Sequence, residues 1–386
     1  MWKYEWKKLL GNKAILCMII GCFLLNGFLV FRQGTQYDEE KRCTPKDIHR
    51  IYEELSAIEN KQEWLRKEIE KEENAGDMAD YVRRNTLMSV LTSVEEVENY
   101  DAYLENIKTQ ARRISQSSLF SDTDRFSKRN AEQIPKKYDK FAGMSLEAEE
   151  SQGIPLATQS EMTDILFMIL AVLLAYFFIS MEREEGTLSF IRCTKNGGRE
   201  LGMRKIGIIL IGSLAGILLL YMENFLIIGN MYGFGNLNRP IQSVDGFIGS
   251  AWKINAGQYF LLFFCGKLFA AAVFVGVITW ICLRGKNILR TSIALILLTG
   301  IEWALYTGIS PNSWLSILRW CNLFSFIRTE NFFQTYETVN LFSYPVSSVI
   351  VCSITGAILF LLCIVQSILC YEKVSRGEYA QKKKWK

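Results

Sequence analysis

The chain has 386 residues, of which 49% are hydrophobic and 13% aromatic, and its formal net charge is +4. This length and composition allow several structural units. The basic residues lie beside apolar runs and the large polar region is mixed in sign, which argues against nucleic acid as a partner. Most of the ten cysteines lie in or beside apolar runs, where a thiol behaves as a small apolar group, so no disulfide framework is expected.

The first residues predict a short amphipathic helix. Trp2, Trp6, Leu9 and Leu10 fall at i, i+4, i+7 and i+8, and lysines lie off that stripe. Such a helix lies flat in the membrane interface, with its apolar side in the acyl boundary and its lysines at anionic head groups. We assign residues 1–13 to a cytoplasmic elbow helix; the alternative is an ordinary positively charged anchor.

Six apolar runs approach the roughly 20 helical residues that cross a bilayer. They are residues 14–31, 165–181, 206–229, 258–283, 288–308 and 345–371. A cleaved signal peptide is the alternative for the first run, but that run is long for one and lacks a small-residue cleavage site. The sequence therefore predicts an all-α polytopic membrane protein with six transmembrane helices.

Lysine and arginine are concentrated in alternate connecting segments, and such segments remain in the cytoplasm. The basic segments are the N-terminus, residues 182–205, residues 284–290 and the tail 372–386. Both termini are therefore expected inside a plasma membrane of bacterial type. The polar insertion 32–164 and the loops 230–257 and 309–344 are expected outside.

The insertion 32–164 predicts a helical extracytoplasmic domain. Positions between Ile48 and Ile69 spaced alternately three and four apart are apolar except Gln62, as along one side of a helix, and a less regular second stretch covers 90–114. A turn at 74–77 separates them, which predicts an antiparallel helical hairpin. We expect a third short helix over 124–137, interrupted by Pro135, and a linker over 143–159.

The use of this domain stays open between a spacer or dimer contact and a binder or gate for an exported substrate. His49 is the only histidine in the chain, and a metal site needs several ligands, so no metal is expected there. Cys43 and Cys321 are the cysteines expected on the outer side of the membrane, and a bridge between them is also left open.

The connector 182–205 between the second and third spans is densely charged. Acidic residues precede Gly186 and Thr187, and Thr187 suits the first position of a helix whose positive end carboxylates favour. The glycine pair at 197–198 supplies a stop, and a basic stretch begins the next span. This pattern suits a short cytoplasmic helix that transmits motion from a soluble partner; the alternative is a solvated loop.

The connector carries a family resemblance. Glu185-Gly186-Thr187-Leu188, followed by Gly198-Arg199, Leu201 and Lys205, resembles the Glu-x-Gly-Thr-Leu and Gly-Arg-x-x-Leu-x-x-x-Lys region of one class of permease. That class is the permease subunit of type-2, exporter-like ATP-binding-cassette (ABC) transporters. The order of elements is similar along nearly the whole chain. Glutamate and glycine are adjacent here but more widely spaced in many members, so Glu182 is the alternative to Glu185 at the family's glutamate position.

The resemblance implies a subunit that pairs with a second copy or a related permease and docks cytoplasmic ABC ATPases through its coupling helix. The implied coupling residues are Glu182, Glu185, Gly186, Thr187, Leu188, Arg199 and Lys205. The cargo would be a peptide, a lipid or a drug-like amphiphile. Because the sequence has no Gly-x-x-x-x-Gly-Lys-Ser/Thr loop, ATP is expected on the partner, and this chain is expected to hold no catalytic residue, cofactor or metal.

Four polar residues in the predicted spans are candidates for lining a translocation path. A carboxylate at mid-bilayer costs on the order of 3 kcal/mol, so such a group usually faces a partner or a cavity. Glu302 is the strongest candidate, with Lys267 as its expected counter-charge. Glu223 lies near the outer surface, where it can also reach water, and Asn26 is expected to bond a neighbouring helix.

The outer segment 309–344 is rich in aromatic residues, which predicts a short helix anchored at the outer leaflet, with gating as the alternative role. A competing function is a membrane sensor or immunity protein that binds a ligand through the outer domain without transport. Such a protein would need a cytoplasmic signalling domain, and the tail 372–386 is short for one. An intramembrane enzyme would need a catalytic constellation within the spans, and the sequence displays none.

Overall fold

The computed structural model describes residues 2–39, 41–75, 78–116, 125–182, 186, 199–285, 288–310 and 313–383. Within these residues the chain is predominantly helical, and six helical segments are long and apolar enough to cross a membrane. The structure therefore confirms a helical membrane-embedded protein with the predicted number of spans.

The six spans agree with the predicted runs to within a few residues, except that the second and third begin earlier and that the helix of the sixth continues beyond its candidate span, Ser348–Tyr371, to Lys383. The short helix α1 (Trp2–Gly11) precedes the first span, α2 (Lys13–Thr35). The second span comprises α8 (Gly153–Thr158), α9 (Glu161–Ala175) and a π-helical turn (Tyr176–Met181). The other spans are α10 (Arg199–Tyr232), α11 (Ala256–Arg284), α12 (Ile288–Gly308) and α16 (Ser348–Lys383).

Capping residues explain two of these boundaries. The Asn12 side chain accepts a hydrogen bond from the backbone N–H of Ile15 at the start of α2. At the start of α11, Asn255 and Gln258 each accept a hydrogen bond from the other's backbone N–H. These bonds satisfy N–H groups that have no partner inside the helix, so the helices begin at those positions.

The second, third and fourth spans form the centre of the bundle. Their most apolar windows are 61%, 44% and 56% buried, against 11% for the first span and 6% for the fifth. Aromatic rings fill part of this core, with Tyr221 and Phe263 in edge contact at 5.1 Å and Phe225 and Phe260 at 4.8 Å. The first and fifth spans therefore turn most of their surface away from the protein.

In the described residues of the polar domain between the first two spans, five α-helices occur, followed by a short 3-10 helix (Asp139–Phe141). The α-helices are α3 (Pro45–Leu55), α4 (Lys61–Ala75), α5 (Met78–Glu98), α6 (Tyr100–Gln116) and α7 (Arg125–Tyr138). Gln62 donates to Glu98 and Arg66 pairs with Glu95, so α4 and α5 are antiparallel, as the hairpin prediction required.

The prediction of one continuous helix over 48–69 is wrong. The chain breaks after Leu55, where the Ser56 hydroxyl donates to the Glu53 carbonyl, and the Asn60 side chain accepts from the Glu63 N–H to begin a new helix. Both halves of the predicted apolar stripe still enter one core, with Ile51 and Leu65 almost completely buried. Burial keeps the stripe together, while local side-chain hydrogen bonds decide where the helices end.

Two further predictions for this domain are corrected. Helix α7 continues through Pro135 to Tyr138. Because Pro135 lies one turn before the end of α7, its missing N–H disturbs only the last turn, and burial of Phe126 and Tyr138 holds both ends of the helix. The expected linker 143–159 contains helix α8, whose Ile154 is fully buried.

The segment before the sixth span differs from the single short helix that was predicted. It folds into α13 (Ser316–Trp320), α14 (Leu323–Ile327), α15 (Asn331–Gln334) and an antiparallel pair of strands, β1 (Thr338–Leu341) and β2 (Tyr344–Ser347). Phe342 and Ser343 form the turn with φ of 51° and 66°. Paired positive φ angles match the right-handed twist of a two-residue hairpin.

The polar domain packs on the connections at one end of the bundle, which we call the domain end. Lys41 pairs with Asp245 at 2.7 Å, and the Tyr138 hydroxyl donates to the Gly249 carbonyl at 2.6 Å. Arg129 donates to the Ser343 carbonyl at 3.0 Å. The opposite end, which we call the terminal end, holds α1 and the ends of the second and third spans that flank the connector 182–205.

Candidate functional site

The connector that carries the family-like motif is described only in part. Glu185, Thr187 and Leu188 lie outside the described residues, as does most of the predicted coupling helix. Gly186 is described and has a φ of +68°, a left-handed conformation that glycine adopts without steric cost. Arg199 is exposed at the first position of α10.

The two predicted ends of the connector meet in a buried ion pair. Glu182 and Lys205 each have 1% side-chain exposure, and their charged groups are in direct contact. Lys8 of α1 approaches the other oxygen of Glu182 at 2.6 Å. Lys205 also donates to the Phe178 carbonyl at 3.2 Å. We call Lys8, Glu182 and Lys205 the Glu182 clamp, and it joins the elbow helix to the second and third spans.

A π-helical turn immediately precedes Glu182. The turn covers Tyr176–Met181, and the rings of Phe177 and Phe178 within it are buried in edge contact at 5.0 Å. A π-helical turn accommodates one residue more than an α-helical turn, and each residue of an α-helix advances by about 100°. The turn therefore decides which face of the second span carries Glu182, and it directs this carboxylate towards the two lysines.

Asn26 and Glu223 belong to a polar network at the contact of the first three spans. The fully buried Asn26 amide donates to Glu223 and to Asn224, each at 2.9 Å. The Thr163 hydroxyl donates to the Asn26 side-chain oxygen at 2.7 Å, and Asn224 donates to the Thr163 oxygen at 2.9 Å. The prediction that Asn26 bonds neighbouring helices is confirmed, and Glu223 is half-buried.

Lys267 is buried in a second polar group. Its ammonium donates to both Asp164 oxygens, at 2.8 and 2.9 Å, and to the Ile327 carbonyl at 2.7 Å, and it lies 3.3 Å from Glu330. The Tyr221 hydroxyl donates to Asp164 at 2.6 Å. We call Asp164, Tyr221, Lys267 and Glu330 the Lys267 cluster. Arg328 lies 3.6 Å from the other oxygen of Glu330, so Glu330 has a second cation beside it.

The predicted pairing of Lys267 with Glu302 is wrong. Glu302 is half-buried, and its carboxylate accepts a hydrogen bond from the Leu323 N–H at 2.9 Å, at the start of α14. Residue counting along two antiparallel spans gives similar depths for Lys267 and Glu302 but not the direction in which each side chain points. In the folded bundle, Lys267 faces the second span and α14 lies beside Glu302.

Sequence reasoning missed both acidic partners of Lys267. The predicted bounds make Asp164 the last residue of the polar domain, whereas it lies in the first turn of α9 and is 5% exposed. Glu330 lies in a polar stretch between short helices, yet it is 2% exposed. A signal for Asp164 was its position directly before an apolar run, where a helix start favours a carboxylate. No sequence signal indicated that Glu330 folds back onto the spans.

The Asn26 network and the Lys267 cluster are adjacent. Thr163 and Asp164 are consecutive on α9, and each belongs to one of the two groups. Together the groups form a buried polar layer that connects the first four spans. Of the four candidate path residues, Asn26, Glu223 and Lys267 lie in this layer. Glu302 instead contacts α14, whose last carbonyl, that of Ile327, accepts from Lys267.

Two cysteines and one histidine are the remaining candidates for a disulfide or a metal site. Cys43 and Cys321 are both free thiols. His49 lies 2.8 Å from the Glu150 carboxylate, and no group of three metal-binding side chains occurs among the residues that the structure describes.

Comparisons with protein-family models, with curated proteins and with solved structures found no match.

Proposed function

We propose that the chain is the membrane permease subunit of an ATP-driven exporter of an amphipathic cargo such as a peptide, a lipid or a drug. ATP would be hydrolysed by separate cytoplasmic ABC ATPases, and the permease would act as a dimer with itself or with a related subunit. The number of spans, the amphipathic first helix and the polar domain after the first span support this proposal. The observation that carries it is the Glu182 clamp.

The clamp suits a device that transmits motion from the connector. Glu182 precedes the connector and Lys205 follows it, so their buried contact closes the connector into a loop with a fixed base. Removing one partner of a buried ion pair typically costs about 3–5 kcal/mol, so the contact resists opening. A force applied to the connector would therefore move the second span, the third span and α1 together as one body.

The second span would carry this motion from the connector to the polar layer. Glu182 ends the second span at the terminal end, and Asp164 lies in the first turn of α9 near the domain end. A tilt of this span, driven from the connector, would change the contacts of Asp164 with Lys267 and Tyr221. We propose that the opening and closing of an outward path takes place in this layer.

A membrane sensor or immunity protein is the second candidate, and one cavity favours it. This cavity of about 270 Å³ lies between the polar domain and the ends of the first two spans. Its walls combine polar side chains, among them Gln33, Gln152 and Gln159, with apolar ones, among them Ile48 and Leu156. Such a size and polarity suit a small ligand that is bound without transport.

Affinity purification from native membranes in mild detergent tests the proposal. We expect a soluble ATPase with a phosphate-binding loop to copurify, and Glu185→Lys to release it, because this substitution reverses a charge on the connector. The matched control is Glu59→Lys, at an exposed position of the polar domain. Glu182→Gln is expected to retain the ATPase, since Glu182 is buried against two lysines and its carboxylate is not available to a partner.

Two results would contradict the permease proposal. One is the absence of any ATPase under conditions that preserve other membrane complexes, which would favour the sensor. The other is equal loss of the ATPase in the Glu185→Lys and Glu59→Lys variants, because a specific connector contact would distinguish them.

A further inference from the structure

A second cavity lies where the polar domain meets the sixth span. It has a volume of about 260 Å³ and is bordered by the end of α7, the loop before α11, the segment after α15 and the first turn of α16. Its size, somewhat below that of pockets for drug-sized molecules, suits a head group better than a whole amphiphile. The cavity is separate from the Glu182 clamp and from the polar layer.

One wall of the cavity is aromatic and continues onto a membrane-spanning helix. This wall consists of Trp252, Phe332 and Tyr336. The Trp252 indole N–H donates to the Phe332 carbonyl at 2.9 Å, and this hydrogen bond holds the Trp252 ring in position. Ile350, in the first turn of the sixth span, also borders the cavity and is 54% exposed. The cavity therefore lies at a membrane boundary, where aromatic side chains normally collect.

The same cavity has a lysine wall without acidic partners, and the Lys137 ammonium lies 5.6 Å from the ring centre of Tyr336. Lys137 and Lys140 line the cavity, and the charge of Lys253 acts on Lys140. Partial burial, together with the charges of Lys137 and Lys253, lowers the pKa of Lys140. Among the residues that the structure describes, no carboxylate lies within ion-pair distance of these three lysines. A cluster of like charges that repel one another suits an anionic ligand.

One carboxylate also borders the cavity. Burial raises the pKa of Glu337, and the positive charge that acts against this shift is that of Arg319 on α13. The Glu337 carboxylate additionally lies 3.4 Å from the Thr335 hydroxyl. Because Arg319 partly neutralises Glu337, the lysine wall still gives the cavity a positive balance.

We infer that this cavity binds the anionic head group of a membrane phospholipid. The phosphate would face Lys137, Lys140 and Lys253, the aromatic wall would cover the glycerol region, and an acyl chain would continue along Ile350 on the sixth span. Lysines near a membrane surface attract anionic lipids, which explains the charge. The continuity of the cavity with an exposed apolar helix face favours a lipid over a free anion. The inference does not rest on the proposed export function.

Native mass spectrometry of the full chain in detergent tests this site with defined lipids. The probes are phosphatidylglycerol and phosphatidylcholine of the same chain length. We expect phosphatidylglycerol to bind at least tenfold more tightly, and the variant K137Q/K140Q/K253Q to lose most of that preference. Each lysine near a membrane surface is worth about a fivefold change in affinity. The control variant K46Q/K67Q/K71Q removes three lysines from α3 and α4 and is expected to keep the preference.

Several outcomes decide the inference. Equal binding of the two lipids to the unmodified chain, or an equal loss in the two triple variants, would overturn it. Displacement of phosphatidylglycerol by inorganic phosphate, but not by chloride at the same ionic strength, would show a free-anion site and would also overturn it. The single variant Lys253→Gln keeps both cavity-lining lysines, and an intermediate loss of about fivefold would support the assignment. Unchanged thermal unfolding midpoints check that the variants are folded.

Discussion

At the scale of single residues, the molecule places two lysines, Lys205 and Lys267, deep among apolar helices and gives each one a carboxylate partner. Lys205 and Lys267 are both 1% exposed, and both donate to a carboxylate and to a backbone carbonyl. Desolvating an ion is costly, so a buried ion pair is retained only where geometry and further hydrogen bonds compensate. Such groups hold helices in one relative position, because displacement would leave a buried charge unpaired.

Substitution of Lys267 tests how much a buried ion pair contributes to the stability of the fold. Lys267→Met leaves Asp164 buried without its ion-pair partner and leaves Glu330 with Arg328 alone, 3.6 Å away, so we expect a loss of about 3–5 kcal/mol in unfolding free energy. The measurement is unfolding in mixed detergent micelles, with Lys46→Met at an exposed position as the control. The neutral variant K267M/D164N/E330Q is expected to recover much of the loss. Equal unfolding free energies for Lys267→Met and Lys46→Met would show that the buried pair does not stabilise the fold.

At the scale of elements, helix α8 is positioned by a glycine. A Cβ atom added at Gly153 would lie 2.0 Å from the Gly233 carbonyl oxygen, so only glycine allows the backbone to approach this closely. The contact places the start of the second span against the end of the third, and Tyr259 at the start of the fourth span donates to Thr158 of α8 at 3.1 Å. A segment that reads as a linker is therefore part of the bundle.

We expect Gly153→Ala to destabilise the protein by about 1–3 kcal/mol, because the added methyl group must displace backbone and overpack the site. The matched control is Gly300→Ala, which places the same methyl group on the fifth span with no atom within 4 Å. Gly300→Ala should be neutral or slightly stabilising, since alanine favours helix over glycine. Thermal unfolding of both variants in the same detergent compares them, and a neutral Gly153→Ala would show that the close approach is not required.

At the scale of the whole molecule, the two ends of the bundle differ in chemistry. The terminal end carries α1 and the basic flanks of the connector, and the domain end carries the helical domain, three short helices and a hairpin. Spans with an excess of lysine and arginine at one end insert with that end in the cytoplasm. The charge distribution thus predicts that the terminal end faces the cytoplasm, which the arrangement of helices alone does not show.

Labelling with a membrane-impermeant maleimide checks that assignment. In a background without the natural cysteines, Ser56→Cys in the polar domain should be modified in intact cells. Gly11→Cys, at the last residue of α1, should react only after permeabilisation. Both positions are exposed, so burial does not explain a difference between them. The reverse pattern would invert the orientation and place the connector away from any cytoplasmic ATPase.

The sequence by itself determined the class of protein, the number of spans and the bonding of Asn26 to neighbouring helices. These follow from the length and hydropathy of continuous segments and from the cost of an unpaired amide in a membrane. It also indicated that residues 182 and 205 mark the connector. The tertiary structure decided that Glu182 and Lys205 meet, that Lys267 pairs with Asp164 and Glu330, and that the segment before the sixth span contains a hairpin. Hydropathy gives the depth of a residue, whereas partners depend on the rotation of each helix about its axis, which packing alone fixes.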